Sequence, residues 1–327
     1  MPTLKSPFPW YGGKSKVAQI VWERFGNVPN YVEPFFGSGA VLLGRPHVPN
    51  IETINDLDCY VANAWRSIQW APDEVAHHTD WPVNEADLHA RHIWLVQQKD
   101  ELSYRVMGNP EYYDARIAGY WIWGVCVWIG GEFCSGKGPW TSVDGKLAHL
   151  SGDGQGVQRR LVHLSGGRGV QRRRVHLGAG KGVQREQRQE LYIYMQSLAN
   201  RLKRVRVCCG EWTRILGPSV TVANGLTGVF LDPPYDQDER SILYTTESNV
   251  SKDVRQWAIE NGNNPQLRIA LCGYEGEHDM PDNWSVYAWK TQRGYANLGK
   301  RRGQENISRE RIWFSPHCLK YVQFSMF

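Results

Sequence analysis

The chain has 327 residues, of which 41% are hydrophobic, and it carries a formal net charge of +5. A chain of this length is expected to form one large domain or two unequal domains, and its mildly basic charge is compatible with a nucleic-acid partner. The seven cysteines include no C-x-x-C pair, which argues against a structural zinc site and a secreted disulfide framework and favours reduced thiols in the cytoplasm.

Membrane insertion is not expected either. The longest uncharged apolar stretch, Ile117 to Gly131, is shorter than the roughly 20 residues that span a bilayer, and it is typical of a buried helix. The first ten residues hold three prolines and lack the apolar segment of a signal peptide. We therefore expect no membrane partner.

The first motif of the chain is Trp10-Tyr11-Gly12-Gly13-Lys14. Its two glycines allow a tight turn, and the residues after it predict a helix from Ser15 to Phe25. Lys14 would then lie near a helix start, where the helix dipole disfavours a positive charge. This placement suggests that Lys14 contacts a ligand, and a solvated surface lysine is the alternative.

A strand, a glycine turn and a helix follow in that order. The strand candidate is Tyr31-Val32-Glu33-Pro34-Phe35-Phe36, the turn is Gly37-Ser38-Gly39, and a helix can begin at Ala40. A G-x-G sequence in this context is how α/β folds bring the backbone close to a nucleotide-like ligand.

A second strand is predicted over Ile51 to Asn55, with Asp56 at its end. Asp56 lies about 20 residues past the glycine turn, the spacing of a carboxylate that binds ribose hydroxyls. An N-cap of the helix predicted from Cys59 to Trp70 is the alternative role, and Asp56 and Asp58 can divide the two roles between them.

The pattern changes at Pro72. Helices are predicted over Glu85 to Leu102 and Tyr112 to Ile129, and an internal repeat follows. Its units contain His149, His163 and His176, each followed by leucine, a glycine-rich turn and the sequence Val-Gln-Arg. Units of this length predict a basic β-ribbon with strands at 157–164 and 170–177. The histidines do not have the spacing of metal ligands, so no metal is expected.

Two structures remain open for this repeat. A flexible, solvated insertion is one, because glycine-rich basic sequence is often of that kind. A ribbon that contacts DNA is the other, because arginine and glutamine bind phosphates and base edges. The second hypothesis predicts DNA contacts by Arg159, Arg172 and Arg185.

The α/β pattern then resumes to the end of the chain. Glu211 follows a strand at Val205 to Cys209 much as Asp56 follows its own strand. The other predicted elements are the helices Glu190–Leu202 and Ser251–Glu260 and the strands Thr227–Phe230, Leu267–Cys272, Ser285–Trp289 and Arg311–Phe314.

The loop Asp232-Pro233-Pro234-Tyr235 carries the most specific chemistry. Two prolines stiffen it and leave carbonyl groups without a ladder partner at the end of a strand. Asp232 and the Pro233 carbonyl can accept the two hydrogens of an exocyclic amino group, and Tyr235 can stack on a planar base. A surface Pro-Pro turn is the alternative if the loop is considered alone.

Together these motifs resemble the Dam-type DNA adenine-N6 methyltransferases. The match consists of Trp10-Tyr11-Gly12-Gly13-Lys14, Glu33-Pro34-Phe35-Phe36-Gly37-Ser38-Gly39, Asn55-Asp56-Leu57-Asp58 and Asp232-Pro233-Pro234-Tyr235, in that order. The resemblance implies a Rossmann-like α/β methyltransferase domain that uses S-adenosylmethionine and releases S-adenosylhomocysteine. It also implies an inserted target-recognition domain, which in this chain would hold the predicted helices and the basic β-ribbon.

The resemblance also implies roles for single residues. Trp10, Lys14, Asp56 and Asp232 would contact the cofactor or its surroundings. The turn with Glu33, Phe35, Gly37, Ser38 and Gly39 would lie beside the methionine part, and Glu211 or Trp212 near the adenine ring. The catalytic loop would be Asp232, Pro233, Pro234 and Tyr235.

The implied domains are residues 1–71 and 186–327 for the two halves of the methyltransferase domain, and 72–185 for the insertion. The chain departs from the family at Gly124-Val125-Cys126-Val127-Trp128, where members usually carry polar, Asn-containing sequence. The target sequence therefore cannot be transferred from the family.

Double-stranded DNA is the expected substrate, modified by base flipping in the cytoplasm of a prokaryotic or phage-infected cell. A monomer is expected, and a cognate restriction enzyme is a candidate partner. Cytosine-N4 methylation and RNA base methylation use similar amino-group chemistry and are the alternatives. A catalytically inactive DNA-binding protein on a methyltransferase fold is the alternative from another class.

Overall fold

The structure, a computed structural model, describes residues 4–10, 14–128, 133–134, 140–143, 146–149, 185–235, 245–289 and 309–320. The predicted ribbon strands at 157–164 and 170–177 lie outside the described residues, as do Arg159 and Arg172. Of Arg185 only the backbone is described, at the start of a helix.

The helices and strands alternate at both ends of the chain, and helices dominate its middle. The helices are α1 (Ala18–Phe25), α2 (Ala40–Leu43), α3 (Cys59–Trp70), α4 (Pro72–Thr79), α5 (Glu85–Gly108), α6 (Ala115–Val127), α7 (Arg185–Leu202) and α8 (Thr245–Asn261). The strands are β1 (Asn30–Glu33), β2 (Ile51–Asp56), β3 (Trp140–Val143), β4 (Lys146–His149), β5 (Val205–Cys209), β6 (Thr227–Leu231), β7 (Leu267–Tyr274), β8 (Ser285–Ala288) and β9 (Glu310–Phe314).

The chain divides into two compact units. Residues 1–3, 12–57 and 204–327 form the first, here called the sheet unit, and residues 4–11 and 58–203 form the second, here called the helical unit. The domain boundaries predicted at residues 72 and 185 stay a prediction.

The sheet unit is built on a seven-stranded sheet in the order β5-β2-β1-β6-β7-β9-β8. The first five strands in that order pair in parallel, and β9 pairs antiparallel with both β7 and β8. The sheet is thus mixed but mainly parallel, with helices in its connections, which is consistent with the predicted methyltransferase fold.

The central strands β1 and β6 lie in the core of the sheet unit, although β1 includes the polar residues Asn30 and Glu33. Every residue of β1 and of β6 is buried, as expected for parallel strands in the middle of an α/β sheet. Gly228 in β6 has a packing reason: a Cβ atom there would come within 2.8 Å of the Phe25 ring of α1. The missing side chain lets the helix approach the strand.

The helical unit contains α3 to α7 and the antiparallel β3–β4 hairpin. α3 and α4 each pack against α6 and α7, and α3 also packs against α5. Aromatic rings fill this core; Tyr60 and Trp121 lie parallel, with ring centroids 6.4 Å apart.

Among the described residues, no helix is long and apolar enough to cross a membrane.

The predicted elements are largely confirmed, with changed ends. Helix α3 has the predicted bounds, and α6 begins later than predicted because the Asp114 side chain caps it by accepting the Ile117 amide at 2.8 Å. Helix α4 was not predicted, although proline at its first position followed by Asp73 and Glu74 is a helix-start signal.

Candidate active site

The loops after β1 and β6 meet at the point where the strand order reverses. β1 continues to β2 on one side, whereas β6 pairs with its other side, so both carboxyl ends lie at a topological switch point. Ligands of open α/β sheets bind in this crevice. The glycine turn follows β1 and the Asp232 loop follows β6, so the fold brings these two motifs to one edge.

Lys14 and Asp232 form an ion pair at this edge. Lys14 Nζ lies 3.0 Å from Asp232 Oδ1, with exposed side-chain fractions of 5% and 20%. Burial alone would lower the pKa of Lys14 by penalising its ammonium, but Asp232, and Glu310 among other neighbours, outweigh burial and raise it. Lys14 is therefore a buried cation of the site and not a solvated surface residue.

Tyr235 is turned toward the same carboxylate. Its hydroxyl lies 3.1 Å from Asp232 Oδ1 and 3.0 Å from Glu310 Oε2. Its ring meets Tyr274 edge to face at 4.7 Å between centroids, and Lys14 Nζ lies 5.1 Å from its ring centre. Burial raises the pKa of Tyr235 well above its usual range, so the phenol stays protonated and can donate.

The glycine turn is fixed by the end of β2. The Gly37 amide donates to Asp56 Oδ2 at 2.8 Å, and the Phe36 amide donates to the Asn55 carbonyl at 3.0 Å. Gly39 adopts φ +67°, and a Cβ atom there would lie 2.5 Å from the Phe36 ring. Glycine is required at that position for both reasons.

Asp56 and Asp58 have different roles, as the sequence allowed. Asp58 is the N-cap of α3 and accepts the Tyr60 amide at 2.8 Å. Asp56 ends β2 beside the glycine turn. The helix-cap alternative therefore applies to Asp58, and Asp56 remains the candidate for ligand binding.

Three further predicted cofactor residues lie in the sheet unit. Phe35 and Trp212 are ring neighbours, 6.2 Å apart with an angle of 31° between their planes. Glu211 is exposed just after β5, the strand that pairs with β2.

Glu33 and Trp10, two further predicted cofactor residues, lie in different units of the structure. Glu33 is buried and accepts the Tyr31 hydroxyl at 2.7 Å; burial raises its pKa well above the usual range. Trp10 belongs to the helical unit, where its ring neighbours Phe8 and Trp121.

The structure adds residues to the site that the motifs did not indicate. Glu310, Tyr274 and Trp289 lie around Lys14 and Tyr235; Lys14 Nζ is 5.9 Å from the Trp289 ring centre. Trp289 was predicted only as the last residue of a strand, and Glu310 and Tyr274 lay outside the predicted strands. Only the antiparallel pairing of β9 with β7 reveals that Glu310, the first residue of β9, lies at the carboxyl edge of the sheet.

Residues 10–92 match the family model of D12 class N6 adenine-specific DNA methyltransferase. The matched stretch, about a quarter of the chain, is similar to this class of enzyme. The match confirms the Dam-type resemblance and the predicted enzyme class, a DNA adenine-N6 methyltransferase. It spans the motifs from Trp10 to Asp58, and the Asp232–Tyr235 loop lies outside it. No curated protein matches the sequence.

The donor set of the methyltransferase fits the cofactor that its class implies. Carboxylates lie at or just after the ends of strands β2, β5 and β6, at Asp56, Glu211 and Asp232. S-adenosylmethionine carries a sulfonium, an ammonium and ribose hydroxyls that such groups bind. The Phe35 and Trp212 rings can pack against an adenine. Among the described residues, no group of three or more His, Cys, Asp or Glu side chains is arranged to hold a metal ion.

Proposed function

We propose that the methyltransferase transfers a methyl group from S-adenosylmethionine to N6 of an adenine flipped out of double-stranded DNA. One observation carries the proposal: Lys14, Asp232 and Tyr235 cluster at the sheet's switch point, beside the glycine turn of a D12 class domain. The cluster joins a nucleotide-type turn to a loop that suits an exocyclic amino group.

The cofactor is assigned to the carboxyl ends of β1, β2 and β5. Asp56 would bind the ribose hydroxyls while its Oδ2 keeps the glycine turn in place through the Gly37 amide. Glu33, Phe35, Ser38 and Gly39 would border the methionine part, and Glu211 and Trp212 the adenine ring. The assignment of Trp10 to the cofactor stays a prediction. When bound, S-adenosylmethionine supplies a methyl group already activated by its sulfonium.

Because the methyl donor is activated, the protein needs alignment more than acid or base strength. Asp232 and the Pro233 carbonyl would accept hydrogen bonds from the two N6 hydrogens. This arrangement directs the nitrogen lone pair toward the methyl group of the cofactor. The Lys14 ion pair holds Asp232 in position, and the two prolines restrict the loop backbone. Each of these groups acts by orientation.

A target adenine inside a duplex is out of reach, so base flipping is part of the proposal. Tyr235 would stack on the flipped base. The ring is already held at its hydroxyl by Asp232 and Glu310 and at its edge by Tyr274. A ring fixed in this way is a defined stacking surface.

Target recognition is assigned to the insertion at residues 72–185, with Arg159, Arg172 and Arg185 among the DNA contacts. The basic repeat supports this through its sequence alone: arginine and glutamine recur at the same place in each unit. We propose further that the protein acts as a monomer in the cytoplasm. A cognate restriction enzyme remains a candidate partner.

Incubation of the protein with labelled S-adenosylmethionine and unmethylated double-stranded DNA tests the proposal. Nucleoside analysis of the product should find N6-methyladenine, and modification-sensitive sequencing should locate it at one recurring sequence. Label in N4-methylcytosine would contradict the choice of base, and label that appears only with RNA would contradict the substrate. Cofactor binding without transfer to any nucleic acid would indicate an inactive DNA-binding protein.

A further inference from the structure

Glu310 is a buried carboxyl group without a role in the mechanism described so far. It is the first residue of β9 and is 5% exposed. β9 runs antiparallel to β7, where Glu310 pairs with Tyr274, so the strand begins at the edge where β6 and β7 end. The last strand of the described residues therefore begins beside the Asp232 loop.

The Glu310 side chain contacts residues of the candidate active site. Its Oε2 lies 3.0 Å from the Tyr235 hydroxyl. The charged and titratable groups that face it are Lys14, Asp232, Tyr235 and Glu277. Burial raises the pKa of Glu310, Lys14 opposes the shift, and Asp232 adds to it.

The Tyr235 hydroxyl has one proton and two carboxyl groups within reach. It lies at nearly equal distances from Asp232 and Glu310, 3.1 and 3.0 Å, and can donate to only one of them at a time. An arriving N6 amino group would compete for Asp232, because it is a donor as well. Glu310 offers the hydroxyl a second acceptor, which avoids a buried donor without a partner.

We propose that Glu310 is a positioning residue for methyl transfer: it holds the Tyr235 hydroxyl so that the ring stays fixed when Asp232 takes the target amino group. The inference rests on the proposed function. A carboxyl group at a buried strand start is costly unless it is hydrogen-bonded, and Tyr235 is the partner that the structure gives it. Glu310 acts on the base only through this tyrosine.

A double-mutant cycle tests the coupling of the two residues. Glu310→Ala should lower kcat for DNA about tenfold, the effect of losing a hydrogen bond to a charged group, and leave the KM for S-adenosylmethionine unchanged. Glu310→Gln keeps an acceptor oxygen and should lose no more than about threefold. In a Tyr235→Phe background, Glu310→Ala should cost nothing further, because the hydroxyl is already absent.

Carbon-13 NMR of protein labelled at tyrosine Cζ gives a readout that needs no activity. The Tyr235 resonance is identified by its absence in Tyr235→Phe. It should shift in Glu310→Ala and stay in place in Glu260→Gln, a matched control that removes an exposed carboxylate of α8.

The outcomes separate the two proposals. Additive losses in the cycle, or a Tyr235 resonance that ignores Glu310→Ala, would overturn the positioning role while the proposed function stands. Absence of any methyl transfer by the wild-type protein would overturn the proposed function, and with it the role of Glu310 in transfer. A coupled loss together with the resonance shift supports the inference. Thermal denaturation of each variant identifies any that fails to fold, and Glu310→Leu, which also lacks an acceptor oxygen, then replaces Glu310→Ala in both measurements with the same expected results.

Discussion

Lys14 Nζ lies 3.0 Å from Asp232 Oδ1, which joins the first motif of the chain to the loop after β6. The two motifs, separated by most of the sequence, thus belong to one site. The pair is also largely buried, so neither charge is screened as it would be on a surface. Lys14 organises the carboxylate on which the proposed chemistry depends.

Lys14→Met should therefore reduce both stability and activity. Removing one partner of a buried ion pair leaves the other uncompensated, which costs about 3–5 kcal/mol when burial is complete, and about 2 kcal/mol is expected for this partly exposed carboxylate. Urea denaturation and single-turnover methylation measure the two effects. Lys16→Met, an exposed change in the same turn, should alter neither. A fully active Lys14→Met variant would show that the pair is dispensable.

Tyr235→Ala should weaken capture of the flipped base more than binding of the cofactor. Stacking on an aromatic side chain contributes about 1–3 kcal/mol per base, so kcat/KM for DNA should fall roughly tenfold or more. Tyr235→Trp should lose less, since it keeps an aromatic face. Steady-state kinetics and calorimetry with S-adenosylmethionine distinguish the effects, and a loss confined to cofactor affinity would refute the stacking role.

The elements that carry the site were predictable because their signals are local. The strand before Asp232 is a short run of buried apolar residues that stops at two prolines, and β6 ends at Leu231, one residue past the predicted end. The glycine turn after β1 and Asp56 after β2 follow from the strand–turn–helix order. Each of these features follows from residues that are close together in the sequence.

The rest of the candidate site depends on pairings between segments that are distant in the sequence. Glu310 reaches Tyr235 only because β9 inserts antiparallel beside β7, and no pattern near Glu310 encodes that pairing. The same holds for the partner of Lys14. The position of Lys14 in a turn suggested contact with a ligand, but the group beside it is the carboxylate of Asp232, in a loop far along the chain. Local sequence also left the capping role open between Asp56 and Asp58.

Asp56→Ala should raise the Kd for S-adenosylmethionine about tenfold or more, because it removes the proposed ribose acceptor and frees the Gly37 amide from its partner. Asp58→Ala is the matched control: it removes the N-cap of α3, at a cost of about 1 kcal/mol in stability, and should leave the Kd within about twofold. Calorimetry and urea denaturation check both. Equal effects of the two changes on the Kd would reject the assignment of Asp56.

Glu33→Gln should flatten the dependence of stability on pH. Burial raises the pKa of Glu33 well above its ordinary value of 4.5, so the folded protein binds a proton there that the unfolded chain releases. The stability that protonated Glu33 contributes is fully present below pH 4.5, and it is lost as the pH rises through the pKa of Glu33 in the folded protein. The variant, which still offers Tyr31 an acceptor, should gain stability relative to wild type over that range.

Urea denaturation at a series of pH values measures the difference between the two proteins. Glu23→Gln, which changes an exposed carboxylate of α1, provides the control and should follow the wild-type curve. Parallel curves for wild type and Glu33→Gln would mean that Glu33 keeps an ordinary pKa in the folded protein.

The most direct test of the account is the amount of N6-methyladenine in DNA from cells that lack adenine methylation of their own and produce either the wild-type protein or Asp232→Ala. Wild type should introduce N6-methyladenine at one recurring sequence, and Asp232→Ala, verified as folded by thermal denaturation, should introduce almost none. Asp232→Asn provides an isosteric second variant with the same expectation. Near wild-type methylation by these variants, or a wild-type product that is N4-methylcytosine, would contradict the account.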